Sequence, residues 1–152
     1  MGHEQKTITM EQVWDEWGKD SKIDSTEPGK ELLSISSLQA KYLRYLSDSN
    51  KKAGQLNKKY KKQKKIRWEY YLGDLNNPED LKKYGYEPFL KKVLKADVGM
   101  YIDADDELND ILSEIQEHKD IVDYCTSVLK ELHSRTFQIK AFIDWEKFTN
   151  GQ

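Results

Sequence analysis

The sequence has little of what stabilises secreted or membrane-spanning proteins. It holds one cysteine, three prolines and eight glycines in 152 residues. A lone Cys125 excludes an internal disulfide and a cysteine-based metal cluster. No run approaches the ~18 consecutive apolar residues that would span a membrane, and residues 1–18 lack the apolar core of a signal peptide. We therefore expect an intracellular protein without membrane association.

Apolar residues are also scarce. They make up 37% of the chain, whereas charged residues make up 34%, above the usual ~25%. The length fits a single domain, because domains typically contain about 100–150 residues. This composition favours long helices or an oligomer over a compact enzyme.

The charges are divided into two blocks of opposite sign, although the net charge is only −2. Residues 51–67 contain nine basic side chains and no acidic one, and residues 103–123 contain nine acidic side chains and one basic one. Such blocks indicate an anionic partner for the first, and a basic partner or self-assembly for the second.

The first half of the chain is predicted to form two helices. Residues 7–20 are amphipathic, with Thr9 as N-cap and Gln12 completing a capping box. Residues 34–72 follow helical spacing and end before Gly73, a typical C-terminal stop. The candidate N-caps of this long helix are Ser34, Ser36 and Ser37.

The middle of the chain is less regular. Residues 79–95 predict a shorter helix that Pro88 would break. Residues 98–102 fit either a brief strand or an extended connector, so the expected fold is mainly all-α with at most one short β segment. Asp103 is the expected N-cap of the final helix.

Residues 104–149, near the C-terminus, contain no glycine or proline and carry a seven-residue apolar repeat. As one helix they would be about 69 Å long. The repeat is typical of a coiled-coil seam, and we expect self-association to bury it, because no intramolecular partner of matching length is evident. The seam positions assigned to oligomerisation are Leu108, Ile111, Ile115, Val122, Cys125, Leu129, Leu132, Ile139 and Ile143.

The basic block is the strongest functional signal. Lysine and arginine neutralise phosphates, and exposed aromatic rings stack on bases, so this block favours nucleic-acid binding. The alternative is a solvated helix face whose rings point into a core. The candidate DNA-binding residues are Lys58, Lys59, Lys61, Lys62, Lys64, Lys65, Arg67, Trp68, Tyr70 and Tyr71.

Motifs for catalysis or metal binding are weak. The acidic cluster at residues 103–110 fails the EF-hand pattern, because Leu108 occupies the position that requires glycine. His118 and His133 lack zinc-ligand spacing, and Cys125 has the apolar heptad neighbours of an inert, buried thiol. We expect no catalytic residue, no metal and no cofactor, and a small metal-dependent nuclease built on the acidic cluster remains the enzymatic alternative.

Several segments, in order along residues 22–151, resemble the UvsY family of recombination mediators from T-even-type bacteriophages. The most characteristic is Lys-Ile-Arg-Trp-Glu-Tyr-Tyr at residues 65–71, which is similar to the family's Lys-x-Arg-x-x-Tyr-Tyr signature. Further similar segments are Ile23–Thr26, Val93–Asp97, Asp123–Cys125 and Ser134–Lys140. The chain departs from the family pattern at Ile66 and Trp68, where the family has a small and an aliphatic residue.

The resemblance implies a non-enzymatic mediator that forms a hexameric or heptameric ring of identical subunits. Such proteins bind single-stranded DNA without sequence preference, help displace the phage single-strand-binding protein and load a RecA-like recombinase. It also implies action in the cytoplasm of the infected bacterial host, with Lys65 and Arg67 contacting DNA. The non-enzymatic alternative is a coiled-coil scaffold without DNA affinity.

Together these observations predict three regions. Residues 1–21 form an N-terminal extension, residues 22–103 bind single-stranded DNA, and residues 104–152 form the oligomerisation helix or helices.

Overall fold

A computed structural model describes residues 7–151. This part of the chain contains five α-helices, one 3-10 turn at Lys95–Asp97 and no strand. The helices are α1 (Met10–Asp20), α2 (Pro28–Leu72), α3 (Pro78–Tyr84), α4 (Val98–Asp103) and α5 (Asp106–Thr149). The all-α fold and the long C-terminal helix agree with the prediction from the sequence, whereas the short β segment considered for residues 98–102 does not form.

The helix ends follow from local chemistry. α1 has the predicted capping box, in which the Thr9 hydroxyl accepts from the Gln12 amide and the Gln12 side chain accepts from the Thr9 amide. α2 ends at Leu72, because the next residue, Gly73, has a φ of +83°, a left-handed conformation that glycine adopts without steric cost. Both expectations are confirmed.

The start of α2 was predicted six residues too late. The helix begins at Pro28, since a proline at the first helical position brings a suitable φ and needs no hydrogen bond for its nitrogen. Ser34 and Ser37 are therefore inside the helix, where their hydroxyls donate to the carbonyl oxygens of Glu31 and Ser34. They bond back into the helix rather than capping it.

Three predictions for the middle segment were wrong. α3 ends at Tyr84, because Gly85 adopts a left-handed φ of +72° and stops the helix ahead of Pro88. Residues 98–102 are helical, with Val98 and Ile102 one turn apart and buried in the same cluster. The N-cap of α5 is Asp105 rather than Asp103, because its carboxylate accepts from the Leu108 amide at 3.0 Å.

The chain divides into two compact units. The first unit contains the residues up to Lys52 and from Glu117 onwards, and its core includes Tyr42, Ile121, Cys125 and Leu132. The second unit is Ala53–Gln116. Its apolar clusters are Leu56 with Ile111 and Ile115, and Val98 with Ile102 and Leu108.

The apolar stripe of α5 is therefore covered within the chain. In the first unit Cys125, Leu132 and Ile139 pack in one cluster with Ile35 and Tyr42 of α2. The argument that α5 has no intramolecular partner of matching length was wrong, because α2 is 45 residues long and α5 is 44. Most of the seam is therefore buried within the subunit itself, without a second copy of the chain.

Candidate nucleic-acid interface

Six lysines of α2 form the most basic surface of the second unit. Lys58, Lys61, Lys62 and Lys65 recur at the spacing of one helical face, and Lys59 and Lys64 flank them. All six are exposed. Among the described residues, no carboxylate lies within ion-pair distance of their ammonium groups. We call these six residues the lysine face.

An open groove of about 430 Å³ lies at the C-terminal end of the lysine face. Its lining residues are Lys61, Lys64, Lys65, Trp68 and Glu69. The groove thus combines three positive charges and one large aromatic ring, the groups that bind the phosphates and bases of a single strand, with one negative charge from Glu69.

Trp68 is held against the protein as well as lining the groove. Its half-buried ring packs against the cluster of Val98, Ile102 and Leu108. A ring supported in this way loses little conformational entropy when a planar ligand stacks on it.

Arg67 lies in a different environment from the lysines. Its side chain is 17% exposed, and its Nη2 donates to Glu107 Oε2 at 2.6 Å. Its Nε lies 3.2 Å from Asp105 Oδ2, as an ion pair without an aligned hydrogen bond. The guanidinium also stacks on the Tyr86 ring, 3.8 Å from the ring centre.

These partners keep Arg67 charged. Burial opposes its charge, but the hydrogen bond to Glu107 and the nearby carboxylates raise the pKa of the guanidinium above its ordinary value. Two carboxylates and one aromatic ring therefore engage the guanidinium.

The two tyrosines of the signature segment are also occupied. Tyr70 is buried, and its hydroxyl donates to the Glu87 carbonyl oxygen at 2.6 Å. The Tyr71 hydroxyl donates to Asp105 Oδ2 at 2.6 Å, and both rings contact Phe89. Burial and the hydrogen bond to Asp105 raise the pKa of Tyr71. Of the three aromatic candidates, Trp68 alone lines the groove.

Sequence reasoning missed the residues that surround Arg67. The sequence places Asp105 and Glu107 in the acidic cluster, as charges that favour a helix N-terminus or as ligands of a candidate metal site, and does not single out Tyr86. Burial raises the pKa of Tyr86 to about 12. A pattern of Asp-x-Glu at a helix start, opposite a basic helix, was the only available signal, and it does not identify the arginine that pairs with it.

The acidic cluster has structural partners. Asp105 is 4% exposed and accepts from the Leu108 amide and the Tyr71 hydroxyl, besides pairing with Arg67. In the part of the chain that the structure describes, no three side chains of His, Cys, Asp and Glu are arranged to hold a metal ion. Asp105, the buried carboxylate of this cluster, therefore stabilises the start of α5 and an ion pair.

His118 and Cys125 are both buried in the first unit. His118 Nδ1 lies 3.3 Å from the Ser49 hydroxyl. Burial raises the pKa of the Cys125 thiol to about 11, so the thiol stays protonated near neutral pH and is a poor nucleophile.

The residues assigned to oligomerisation differ in exposure. Val122, Leu129 and Ile143 retain partial exposure, and the remaining seam residues are buried within the chain: Leu108, Ile111, Ile115, Cys125, Leu132 and Ile139. Three aromatic side chains of α5 outside the seam are more exposed, namely Phe137 at 62%, Trp145 at 61% and Phe148 at 83%.

None of the helices of residues 7–151 combines the length and apolar character needed to cross a membrane.

Comparison with known proteins gives one consistent result. The family model described as recombination, repair and ssDNA binding protein UvsY matches residues 16–152. The recombination protein UvsY of Enterobacteria phage T4 is 26% identical over 145 residues, which cover 95% of this chain and all of that protein.

Solved structures agree in fold. A crystal structure of the bacteriophage T4 recombination mediator protein UvsY superposes with a TM-score of 0.77 at 25% identity, over 94% of this chain and 98% of that one. A second lattice form gives a TM-score of 0.78 at 24% identity, over 93% and 99% of the two chains.

Proposed function

This chain belongs to the UvsY family of recombination, repair and single-stranded-DNA-binding proteins, and we propose that it acts as a homo-oligomeric mediator whose lysine face binds the strand. The family consists of mediators rather than enzymes. The observation that carries the proposal is the lysine face itself, whose exposed charges lie beside the Trp68 groove and pair with no carboxylate of residues 7–151.

The charges are suited to phosphates rather than to a structural role. Lysines that supported the fold would face carboxylates, as Lys41 does with Glu16 and Asp20. The lysine face has no such partners among the described residues, so each ammonium is available to replace a counterion on DNA.

Assembly would multiply this surface. One lysine face per subunit offers a few phosphate contacts, whereas several faces in a ring offer a continuous track for one strand. Binding along such a track would bend the strand, weaken the hold of a single-strand-binding protein and leave DNA available to a RecA-like recombinase. The setting would be the cytoplasm of the infected bacterium.

For assembly, we propose a contact surface on α5 that is only partly the predicted seam. The buried seam residues hold α5 in its own chain, so Ile139→Asp would unfold the subunit rather than separate subunits. Phe137 and Phe148, 11 residues apart and thus on one helical face, are exposed and offer apolar surface to a second copy. The partly exposed Val122, Leu129 and Ile143 would add to it.

The test replaces three groove lysines together, Lys61, Lys64 and Lys65, by alanine. Loss of three phosphate contacts per subunit lowers the slope of log affinity against log salt by about 2 for each subunit that contacts the strand, at ~0.7 per contact. Between 50 and 200 mM salt, the affinity of the wild-type protein should then fall at least about 18-fold more than that of the variant. Fluorescence anisotropy with labelled oligothymidylate measures both quantities.

A matched control removes the same charge elsewhere. Lys19, Lys22 and Lys119 are exposed lysines of the first unit, and their triple alanine variant changes the net charge equally. It should keep the wild-type salt slope. Equal losses in the two triple variants would mean that overall charge, and not the lysine face, determines binding. Oligomers without any DNA affinity would favour the scaffold alternative.

A further inference from the structure

Arg67 belongs to the family signature, yet it lies on the side of α2 opposite the central stripe of the lysine face. It follows Lys65 by two residues, a rotation of about 200° around a helix of 3.6 residues per turn, although Lys64, at the edge of the lysine face, is only about 60° away. Its side chain is 17% exposed, whereas the six lysines are all exposed. Its charge therefore faces the protein.

The groups around Arg67 also compete with any phosphate. Asp105 and Glu107 supply two negative charges against its single positive one, and the side chain of Asp105 is only 3% exposed. A phosphate would have to displace both carboxylates and the stacked Tyr86 ring. Breaking a buried ion pair leaves an unpaired charge away from water. The free energy that this costs exceeds the free energy that one phosphate contact in solvent provides.

We propose that Arg67 is a positioning residue for the DNA groove and does not contact the strand. It holds α2 to the first turn of α5 through Asp105 and Glu107, and this fixes its neighbour Trp68 against the α4 cluster beside the groove. The inference rests on the proposed function, because it assumes that the groove binds single-stranded DNA and that Trp68 stacks on a base.

The link from Arg67 to Trp68 passes through Asp105. This residue caps α5, pairs with Arg67 and accepts from the Tyr71 hydroxyl, so one carboxylate joins α2 to the α4–α5 junction. Ile102 and Leu108, on either side of that junction, form the cluster on which Trp68 packs. Without Arg67, the support of the Trp68 ring loosens, whereas the exposed lysines keep their charge and exposure.

The experiment measures two quantities for each variant: the salt slope of binding, and the ratio of affinities for oligothymidylate and an abasic strand of equal length. The slope counts phosphate contacts, and the ratio reports stacking, which we expect to be at least about fivefold in the wild-type protein. Lys65→Ala should lower the slope by about 0.7 for each subunit that contacts the strand and leave the ratio unchanged. Trp68→Leu should lower the ratio and leave the slope unchanged.

Arg67→Ala is expected to resemble Trp68→Leu, with the wild-type slope and most of the base preference lost. A slope reduced as in Lys65→Ala would make Arg67 a DNA contact and overturn the proposal. An unchanged ratio would give Arg67 a merely structural role and overturn it too, as would an unchanged ratio in Trp68→Leu. If Lys65→Ala alone leaves the slope unaltered, the proposed DNA surface fails, separately from the inference about Arg67.

If Arg67→Ala does not fold, Arg67→Lys distinguishes a positioning role of Arg67 from a DNA contact or a merely structural role. An ammonium keeps the charge but cannot stack on Tyr86 and reach both carboxylates in the same way as a planar guanidinium. A DNA contact or a merely structural arginine would tolerate lysine with the base preference intact. A positioning arginine would not, so loss of the preference in folded Arg67→Lys supports the proposal and its retention contradicts it.

Discussion

The contact between Arg135 and the end of α1 allows a quantitative prediction. Arg135 is 4% exposed, and its Nη2 donates to the carbonyl oxygens of Asp20 and Ser21 at 2.9 and 2.8 Å. The guanidinium also lies 5.5 Å from the centre of the Trp17 ring. A positive group on α5 thus caps the negative C-terminal end of α1.

We expect Arg135→Met to lower the free energy of unfolding by about 2–3 kcal/mol. Two hydrogen bonds from a charged donor contribute roughly 1.5 kcal/mol each, and the helix-end charge adds about 0.5 kcal/mol. Burial of the guanidinium, whose Nη1 has no hydrogen-bond partner among the described residues, offsets about 1 kcal/mol of this. Methionine keeps much of the apolar contact.

Thermal unfolding at a fixed protein concentration, followed by circular dichroism, measures the change. For a chain of this size the midpoint should fall by about 5–10 °C. Lys140→Met, on the same helix but exposed, is the matched control and should stay within about 0.5 kcal/mol of the wild-type protein. A midpoint for Arg135→Met within about 1 °C of wild type would refute the capping argument.

Four further outcomes are expected. Leu132→Ala, at a site with no exposure, should cost about 2–5 kcal/mol in urea unfolding, whereas Leu90→Ala, at a site 91% exposed, should cost under about 0.5 kcal/mol; similar costs would contradict the core assignment. Cys125 should resist Ellman's reagent at pH 8 until urea is added, because burial raises its pKa to about 11, and rapid native labelling would contradict this. Tyr86 has a pKa raised to about 12, so it stabilises the fold fully below its ordinary pKa near 10 and progressively less as the pH rises towards 12. Tyrosinate absorbance that rose at the same pH in native and unfolded protein would contradict this raised pKa. Phe148→Ser should lower the sedimenting mass without changing the helical content, and an unchanged mass would remove that ring from the proposed subunit contact.

Local chemistry made much of the fold predictable. The capping box at Thr9, the stop at Gly73 and the exposed lysine repeat each depend on residues within one or two turns of each other. The start of α2 was predicted too late, because Ser34, Ser36 and Ser37 are suitable N-caps by residue type, just as Pro28 is a suitable first helical residue. Residues 98–102 were missed because their apolar pair faces a cluster made by distant segments.

The site was predictable in part for the same reason. The lysine face follows from spacing alone, since an exposed charge needs no partner to be recognised. The surroundings of Arg67 do not, because Glu107 lies 40 residues further along the chain. Likewise, the apolar stripe of α5 is equally consistent with a second copy of the chain or with α2, and the sequence does not distinguish them.

The most direct test of the account is a salt titration of the wild-type protein against labelled oligothymidylate. Several phosphate contacts per subunit should give a log–log slope that is a multiple of about −0.7 and becomes shallower by about 2 per bound subunit when the three groove lysines are replaced. Affinity that is weak, or that stays constant as salt increases, would contradict the claim that the lysine face is the DNA-binding surface.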